Sequence, residues 1–131
     1  KPATSHQTIG LIDIMATLSE LTGQPLADKY AEDSYGFFKI LNGNTREAIR
    51  DQIVYISARG KLVIKAGDWK YIDCLGSGGF TDPAELEPVE GGPLGQLYYL
   101  KQDPLEQNNL YLEEPAMVRQ LSDLLQDVVN Q

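Results

Sequence analysis

Three strand-like runs separated by two tight turns constrain the fold of this chain more than any other feature. The segment IVYISARGKLVIKAGDWKYID, residues 53–73, is rich in β-branched and aromatic residues and is interrupted by the turn sequences ARG and GD. Turns this short join antiparallel neighbours, because a parallel pair needs a crossover of about a dozen residues or more. The sequence therefore predicts an antiparallel meander, with strands at Ile53–Ser57, at 61–67 and at 69–73.

A fourth strand and two helical segments complete the predicted architecture. The sequence QLYYL, Gln96–Leu100, follows a long loop rich in Pro, Glu and Gly. Pro115 fits the first position of a C-terminal helix. Apolar residues then recur at helical spacing, at Met117, Val118, Leu121, Leu124, Leu125 and Val128. The expected fold is α+β: a four-stranded antiparallel sheet packed by this amphipathic helix, with a helical N-terminal segment.

The N-terminal segment is predicted to be a helix with an unusually wide apolar face. Thr4 and Gln7 have the spacing of a capping box, and Gly23 followed by Pro25 predicts the end of the helix. A narrow polar stripe separates the apolar positions and holds Gly10, Asp13, Thr17 and Glu20. Surface helices of small domains usually have a narrower apolar face. We therefore expect this helix to lie between two layers, one of which is absent from the chain.

Charge and composition limit the partners of the chain. It has 11 Lys and Arg against 19 Asp and Glu, a formal net charge of −8, whereas nucleic-acid binding needs clustered cations. No apolar run approaches the roughly 20 residues of a membrane helix. We therefore expect neither a nucleic-acid nor a membrane partner. The 131 residues are enough for a single domain, and the start without Met leads us to expect a piece of a longer protein.

The glycine cluster GSGG, residues 76–79, follows the third predicted strand and raises the question of a phosphate-binding loop. Such a loop leads into a helix N-terminus, whose free N–H groups point at the anion. Here Phe80, Thr81, Asp82 and Pro83 follow, and then acidic residues. We interpret the cluster as a connection between strands, with a small anion-binding nest of backbone N–H groups as the remaining alternative.

The other candidate residues do not form a complete active site. Cys74 has no histidine nearby to activate it, so we expect a packed side chain and no nucleophile. His6 lies in the predicted cap, where a structural or exposed role is expected. Acidic residues are scattered, so no metal site and no catalytic residue is assigned. Basic residues cluster in the hairpins, where a solvated strand face and ligand contact both remain open: Arg59, Lys61, Lys65 and Lys70.

The order of the motifs resembles one known family. LIDIMATLSELTG, AEDSYGFFKILNG, KAGDWKYID, GSGGF and GQLYYLKQDPLEQNNL, followed by the closing helix, are similar in order to the C-terminal part of type I sulfatases. The resemblance is to the arylsulfatase and N-acetylgalactosamine-6-sulfatase-like group and spans nearly the whole chain. In the first motif Asp13, Met15 and Thr17 fit the family pattern, and Ala16 stands where a proline is frequent.

The resemblance implies that the chain has two parts and that the reactive groups lie elsewhere in the parent protein. Residues 1–45 would end the helical part of the catalytic domain, and residues 46–131 would form the C-terminal sheet-plus-helix subdomain of a sulfuric ester hydrolase. The family signature for formylglycine, Cys/Ser-x-Pro/Ala-x-Arg, does not occur here, and Cys74 does not match it. The resemblance implies no cofactor in this segment, and a formylglycine and a divalent metal, usually calcium, in the parent. The isolated chain is expected to be inactive.

The resemblance also implies a recognition role. Loops of this subdomain can line the substrate entrance, so we expect Arg59, Lys61 and Ser77 to contact a sulfated carbohydrate or aryl sulfate. Trp69 is expected to pack in the core or at an interface. The missing catalytic domain would cover the apolar face of the first helix, and the parent would be exported. Two alternatives remain: a stand-alone carbohydrate- or anion-binding module, and a structural interaction module that self-associates through this helix.

Overall fold

The computed structural model describes residues 4–27, 29–43 and 47–130. Within it the chain divides into two compact units, residues 1–53 and residues 54–131, called here the helical unit and the sheet unit. The predicted division between residues 45 and 46 lies outside the described residues.

The helical unit begins its first helix later than predicted. A 3-10 turn at Leu11–Asp13 leads into α1, Ile14–Thr22, and a short helix α2 follows at Phe38–Leu41. Gly23 ends α1 in the left-handed region at φ 65°, as predicted. The predicted start at Thr4 is wrong, because residues 4–10 are not helical. Gly10 is the N-cap residue of the 3-10 turn, and the Asp13 carboxylate reaches back from the third position of that turn to accept a hydrogen bond from the Gly10 N–H at 2.8 Å.

The burial of this first helical segment is the reverse of what its composition suggests. Asp13 is completely buried and Thr17 is 6% exposed, although both belong to the polar stripe. The apolar residues around them are exposed to about half of their surface or more: Ile9, Leu11, Ile12, Ile14, Met15, Leu18 and Leu21. The helical unit is therefore built around polar groups and leaves a contiguous apolar face uncovered within the described residues.

The predicted meander is confirmed. The strands are β1 Gln52–Ile56, β2 Leu62–Ala66, β3 Trp69–Ile72 and β4 Gln96–Tyr99, and they lie side by side in chain order. Two pairings fix the register: Ile64 lies opposite Tyr71, and Tyr71 lies opposite Leu97. These three side chains occupy paired positions and point to one face of the sheet, and Val63 and Tyr98, which adjoin two of them on the other face, are buried as well.

The C-terminal helix covers this face. Helix α3, Pro115–Val129, has Pro at its first turn, as predicted. Its Leu121 and Leu125 are nearly inaccessible and form one core cluster with Ile64, Tyr71 and Leu97. Trp69 packs against the same cluster, and its ring centroid lies 4.8 Å from that of Tyr99. The sheet unit thus has a hydrophobic core of its own, and the α+β architecture is confirmed.

The topology of the sheet determines which loops can meet. A meander alternates its connections between the two ends of the sheet, so the first and third connections share an end. The β1–β2 turn, residues 57–61, therefore lies at the same end as the β3–β4 connection, residues 73–95, which contains the glycine cluster. The β2–β3 turn at Gly67 and Asp68 lies at the other end. In the described part of the chain, no helix combines the length and the apolar character needed to cross a bilayer.

Candidate functional site at the joined loops

Two loops that are distant in sequence are joined at this end of the sheet. The Arg59 N–H donates to the Gly78 carbonyl at 3.1 Å, and the Arg59 Nε donates to the Gly79 carbonyl at 3.5 Å. Gly78 is buried at this contact and has φ +60°. A Cβ there would lie 2.9 Å from the Ser57 Oγ, so only glycine permits this approach. We call residues 57–61 and 76–81 together the joined loops.

The β1–β2 turn is held in shape by Ser57. Its N–H donates to the Lys61 carbonyl at 2.8 Å. Its Oγ accepts hydrogen bonds from the Lys61 N–H at 3.1 Å and, more weakly, from the Arg59 N–H at 3.4 Å. Gly60 supplies the left-handed conformation that the tight turn requires, at φ +76°. The backbone that carries the two cations is therefore fixed by local hydrogen bonds.

The glycine loop is also closed by hydrogen bonds. The N–H groups of Ser77 and Gly78 donate to the carbonyls of Pro83 and Ala84 at 3.0 and 2.9 Å. The Gly79 N–H donates to the Ser77 Oγ at 3.1 Å. Three of the four N–H groups of residues 76–79 are thus engaged within the protein, so they are not available to form an anion-binding nest. The loop also leads into bends and not into a helix, so it lacks the geometry of a phosphate-binding loop.

The structure brings the three predicted substrate-binding residues into the joined loops. Arg59 is exposed, and the part of the chain that the structure describes gives its guanidinium no ion pair. Lys61 is half-exposed, and its Nζ lies 3.5 Å from a carboxylate oxygen of Glu85, which partly offsets its charge. Arg59 is therefore the more available cation at this end of the sheet.

Ser77 has a different position. Its side chain is exposed, but its hydroxyl donates to the Thr81 carbonyl at 2.5 Å and accepts the hydrogen bond from Gly79. One lone pair of the hydroxyl stays available for a ligand. The hydroxyl thus stabilises the loop through these two hydrogen bonds, and its contact with substrate stays a prediction.

The other basic residues of the hairpins lie elsewhere. The Lys65 Nζ donates to the Gly67 carbonyl at 2.8 Å, at the opposite end of the sheet. The Lys70 Nζ lies 2.7 Å from the carboxylate of Glu106, which has left-handed backbone geometry at φ 55°. The basic cluster read from the sequence therefore separates, and Arg59 and Lys61 alone of the four belong to the joined loops.

Sequence reasoning missed one conspicuous residue of this site. Phe80, at the tip of the glycine loop, is 97% exposed. The signal in the sequence is a bulky aromatic placed directly after two glycines and before Thr81 and Asp82, in a segment with no other large apolar residue. Its importance depends on the closure of the loop, which the sequence pattern does not reveal.

The residues of the sheet unit do not supply the reactive groups that the family resemblance implies for the parent. Burial raises the pKa of the Cys74 thiol, which disfavours the thiolate. Across residues 4–27, 29–43 and 47–130, no three His, Cys, Asp or Glu side chains converge on a point where they could hold a metal ion.

This chain is similar over nearly its whole length to known proteins of one bacterium. No family model matches it. It is 35% identical over 133 residues to an N-acetylgalactosamine-6-O-sulfatase of Bacteroides thetaiotaomicron, an alignment that covers 98% of this chain and 25% of that protein. A solved chain labelled 6S-sulf, from work on the metabolism of multiple glycosaminoglycans by the same organism, superposes with a TM-score of 0.69. It is 35% identical, over 91% of this chain and 24% of that one. The chain thus spans about a quarter of the length of these relatives.

Proposed function

Since the chain belongs to the sulfatases as a C-terminal segment of such a protein, we propose that it completes a sulfuric ester hydrolase and lines the entrance to its substrate site. The observation that carries the proposal is the junction between Arg59 and Gly78, which fixes the backbone that carries an exposed guanidinium with no ion pair among the described residues. A fixed cation with no internal ion pair is suited to an anionic ligand, because its charge is not already neutralised.

The substrate that we propose for the parent is a sulfated sugar. The relative that is 35% identical is named for the 6-O-sulfate of N-acetylgalactosamine, which supports this class over an aryl sulfate. Arg59 and Lys61 would bind anionic groups of the sugar, and the hydroxyl of Ser77, whose proton is donated to the Thr81 carbonyl, would accept one further hydrogen bond. An exported location of the parent follows from the same analogy and is part of the proposal.

The chemical step is assigned to the remainder of the parent. Cleavage of a sulfate ester needs an activated nucleophile and a cation that stabilises the departing charge, which a formylglycine and a calcium ion supply in the family. No group of the joined loops has that reactivity, so their contribution is to bind and orient. We therefore expect no sulfatase activity from the 131-residue chain alone. Turnover of a chromogenic aryl sulfate by the purified chain would contradict this assignment.

The apolar face of the first helical segment supports a large intramolecular partner. Side chains such as Leu11, Met15 and Leu18 are exposed to between 50% and 87% along one continuous segment. Contiguous apolar surface above a few hundred Å² is rarely left in contact with water in soluble proteins. About three quarters of the relatives' length has no counterpart in this chain, so the catalytic part of the parent is the occupant that we propose. Self-association of the isolated chain through this face is the consequence expected when that part is missing.

The test uses the full-length parent and three matched variants. Arg59→Ala and Lys61→Ala each remove one cation from the joined loops, and Lys101→Ala removes one from the exposed turn after β4, at the other end of the sheet. On a sulfated disaccharide, Arg59→Ala should raise KM about tenfold, with kcat within about twofold, because a binding contact is lost and no reactive group is changed. Lys61→Ala should act in the same direction and more weakly, because Glu85 already offsets its charge. Lys101→Ala should leave both constants unchanged. Equal constants for all three variants and the unmodified parent would overturn the recognition role.

A further inference from the structure

The surroundings of Phe80 differ from those of the exposed apolar residues of the first helical segment. The exposed side chains of the first helical segment follow one another along the chain and form a broad face that suits a protein partner. Phe80 stands alone in its segment: the residues on either side of it are Ser77 to Gly79 and Thr81 to Pro83. A single ring of this size among polar groups is an unsuitable core for a protein interface, which is usually a cluster of apolar side chains.

The loop holds Phe80 in its exposed position. The hydrogen bond from the Ser77 hydroxyl to the Thr81 carbonyl closes a small ring of backbone around it. The N–H groups of Ser77 and Gly78 anchor that ring to residues 83 and 84. On the side of the β1–β2 turn, the Gly79 carbonyl accepts from the Arg59 Nε. The phenyl ring therefore projects from a backbone that is tied on both sides, which lowers the entropy that a ligand must overcome on binding.

Arg59 and Phe80 are brought close to each other by this arrangement. The guanidinium lies 3.5 Å from the carbonyl of the residue directly before Phe80. An exposed aromatic ring thus follows directly, along the chain, the residue whose carbonyl accepts a hydrogen bond from this cation, and the guanidinium keeps N–H donors for a ligand. A sugar ring has the complementary chemistry, because its C–H groups form an apolar face while its hydroxyl and anionic groups project from its edge.

We propose that Phe80 is a platform on which a pyranose ring of the sulfated substrate stacks, while Arg59 binds an anionic group at the edge of that ring. This inference rests on the proposed function of the joined loops and adds to it a residue that determines specificity. Stacking recognises the ring and the guanidinium recognises the charge. The parent should therefore distinguish sulfated saccharides from sulfate alone at this position.

The experiment measures two ligands in the full-length parent. KM is determined for a sulfated disaccharide, and the inhibition constant is determined for inorganic sulfate, which has no ring to stack. Phe80→Ala should raise KM for the disaccharide about tenfold with kcat within about twofold, and should leave the inhibition constant of sulfate unchanged. Phe80→Tyr, which keeps the ring, should restore KM to within about twofold. Leu105→Ala is the matched control, since Leu105 is 75% exposed at the other end of the sheet, and it should change neither constant.

The outcomes separate this inference from the proposed function. If Arg59→Ala raises KM and Phe80→Ala does not, the platform is wrong and the recognition role of the joined loops stands. If neither variant changes KM, both are wrong. If Phe80→Ala lowers the melting temperature of the parent and leaves KM unchanged, the ring packs against protein and the platform is again wrong. If Phe80→Ala weakens the binding of sulfate and of the disaccharide by the same factor, the effect is not due to stacking and the inference fails.

Discussion

The helical unit and the sheet unit of this chain are stabilised in opposite ways. In the sheet unit Ile64, Leu97 and Leu121 are almost completely buried and form a hydrophobic cluster between the sheet and α3. In the helical unit the completely buried side chain is a carboxylate, that of Asp13, and the surrounding apolar residues face outward. The sheet unit thus buries its own apolar surface, whereas the helical unit leaves apolar surface exposed.

The polar centre of the helical unit explains how a segment without an apolar core keeps its conformation. The Asp13 carboxylate contacts the Arg50 guanidinium and accepts hydrogen bonds from the N–H groups of Gly10 and Tyr35 at 2.8 and 3.0 Å. Thr17 donates to the Asp13 carbonyl at 2.7 Å and accepts from the Phe37 N–H at 3.0 Å. The centre therefore links three separate parts of the segment, namely the first helical segment, residues 35–37 and Arg50, and leaves the apolar face free for another surface.

Removal of the buried carboxylate should have the largest effect. Asp13→Ala leaves the Arg50 side chain, which is 8% exposed, without its counter-charge. Breaking one side of a buried ion pair costs about 3–5 kcal/mol, because the remaining charge is desolvated and unpaired. Asp33→Ala is the control, since its side chain is exposed and it contributes only its backbone carbonyl to Arg50. Urea denaturation followed by circular dichroism measures both. Equal losses for the two variants would show that Asp13 is not the centre of the unit.

Truncation of leucines should show a smaller effect with a sharp contrast between the units. In the 131-residue chain, Leu121→Ala should lower the free energy of unfolding by about 3 kcal/mol, because it opens a cavity in a close-packed core. Leu18→Ala, at a position that is 50% exposed, should cost below about 1 kcal/mol in the same chain. In the full-length parent the cost of Leu18→Ala should rise to about 2 kcal/mol if the apolar face is covered there. Denaturation midpoints measured in the 131-residue chain and in the full-length parent test this prediction. If Leu18→Ala lowers the free energy of unfolding equally in both proteins, the apolar face is not covered in the parent.

A surface carboxylate of the sheet unit should give the smallest effect and a dependence on pH. The backbone N–H of Asn108, at 2.8 Å, holds the pKa of Asp103 below its ordinary value of 3.8. A carboxyl whose pKa is lowered on folding stabilises the native state above its ordinary pKa, and this contribution is lost as the pH falls through the lowered value. Asp103→Asn should therefore lower the melting temperature slightly at about pH 7 and less at about pH 3. Glu87→Gln removes a charge from an exposed loop and serves as the control. A difference that grows on acidification would contradict the assignment.

Local patterns were sufficient to predict the sheet unit. Short turns at Arg59–Gly60 and Gly67–Asp68 permit only antiparallel neighbours, and the spacing of Leu121 and Leu125 determines which face of α3 is buried. The contacts of Asn109, after β4, join residues that are 12 and 14 positions apart and do not follow from local patterns. The Asn109 side chain replaces a strand partner, accepting from the Leu97 N–H at 2.9 Å and donating to the Gly95 carbonyl at 3.0 Å.

The helical unit could not be predicted to the same extent. Thr4 and Gln7 have the spacing of a cap, yet the helical turns begin only at Leu11, and the Asp13 carboxylate at that start is paired with Arg50, which is 37 residues away in sequence. Helical periodicity shows that apolar and polar residues occupy different faces, but it does not state which face is covered. Phe80 was missed for a related reason, since the closure of its loop depends on contacts with residues 57–61 and 83–84.

The sequence by itself determined the α+β architecture, the strand order and the kinship with sulfatases, because turn length, alternation and collinear motifs are properties of neighbouring residues. The tertiary structure alone decided that Asp13 lies inside and the apolar face of α1 outside. It also decided that the carbonyl of Gly79, directly before the exposed Phe80, accepts a hydrogen bond from Arg59. Both outcomes depend on hydrogen bonds between segments far apart in the chain, and these form only when the whole unit has folded.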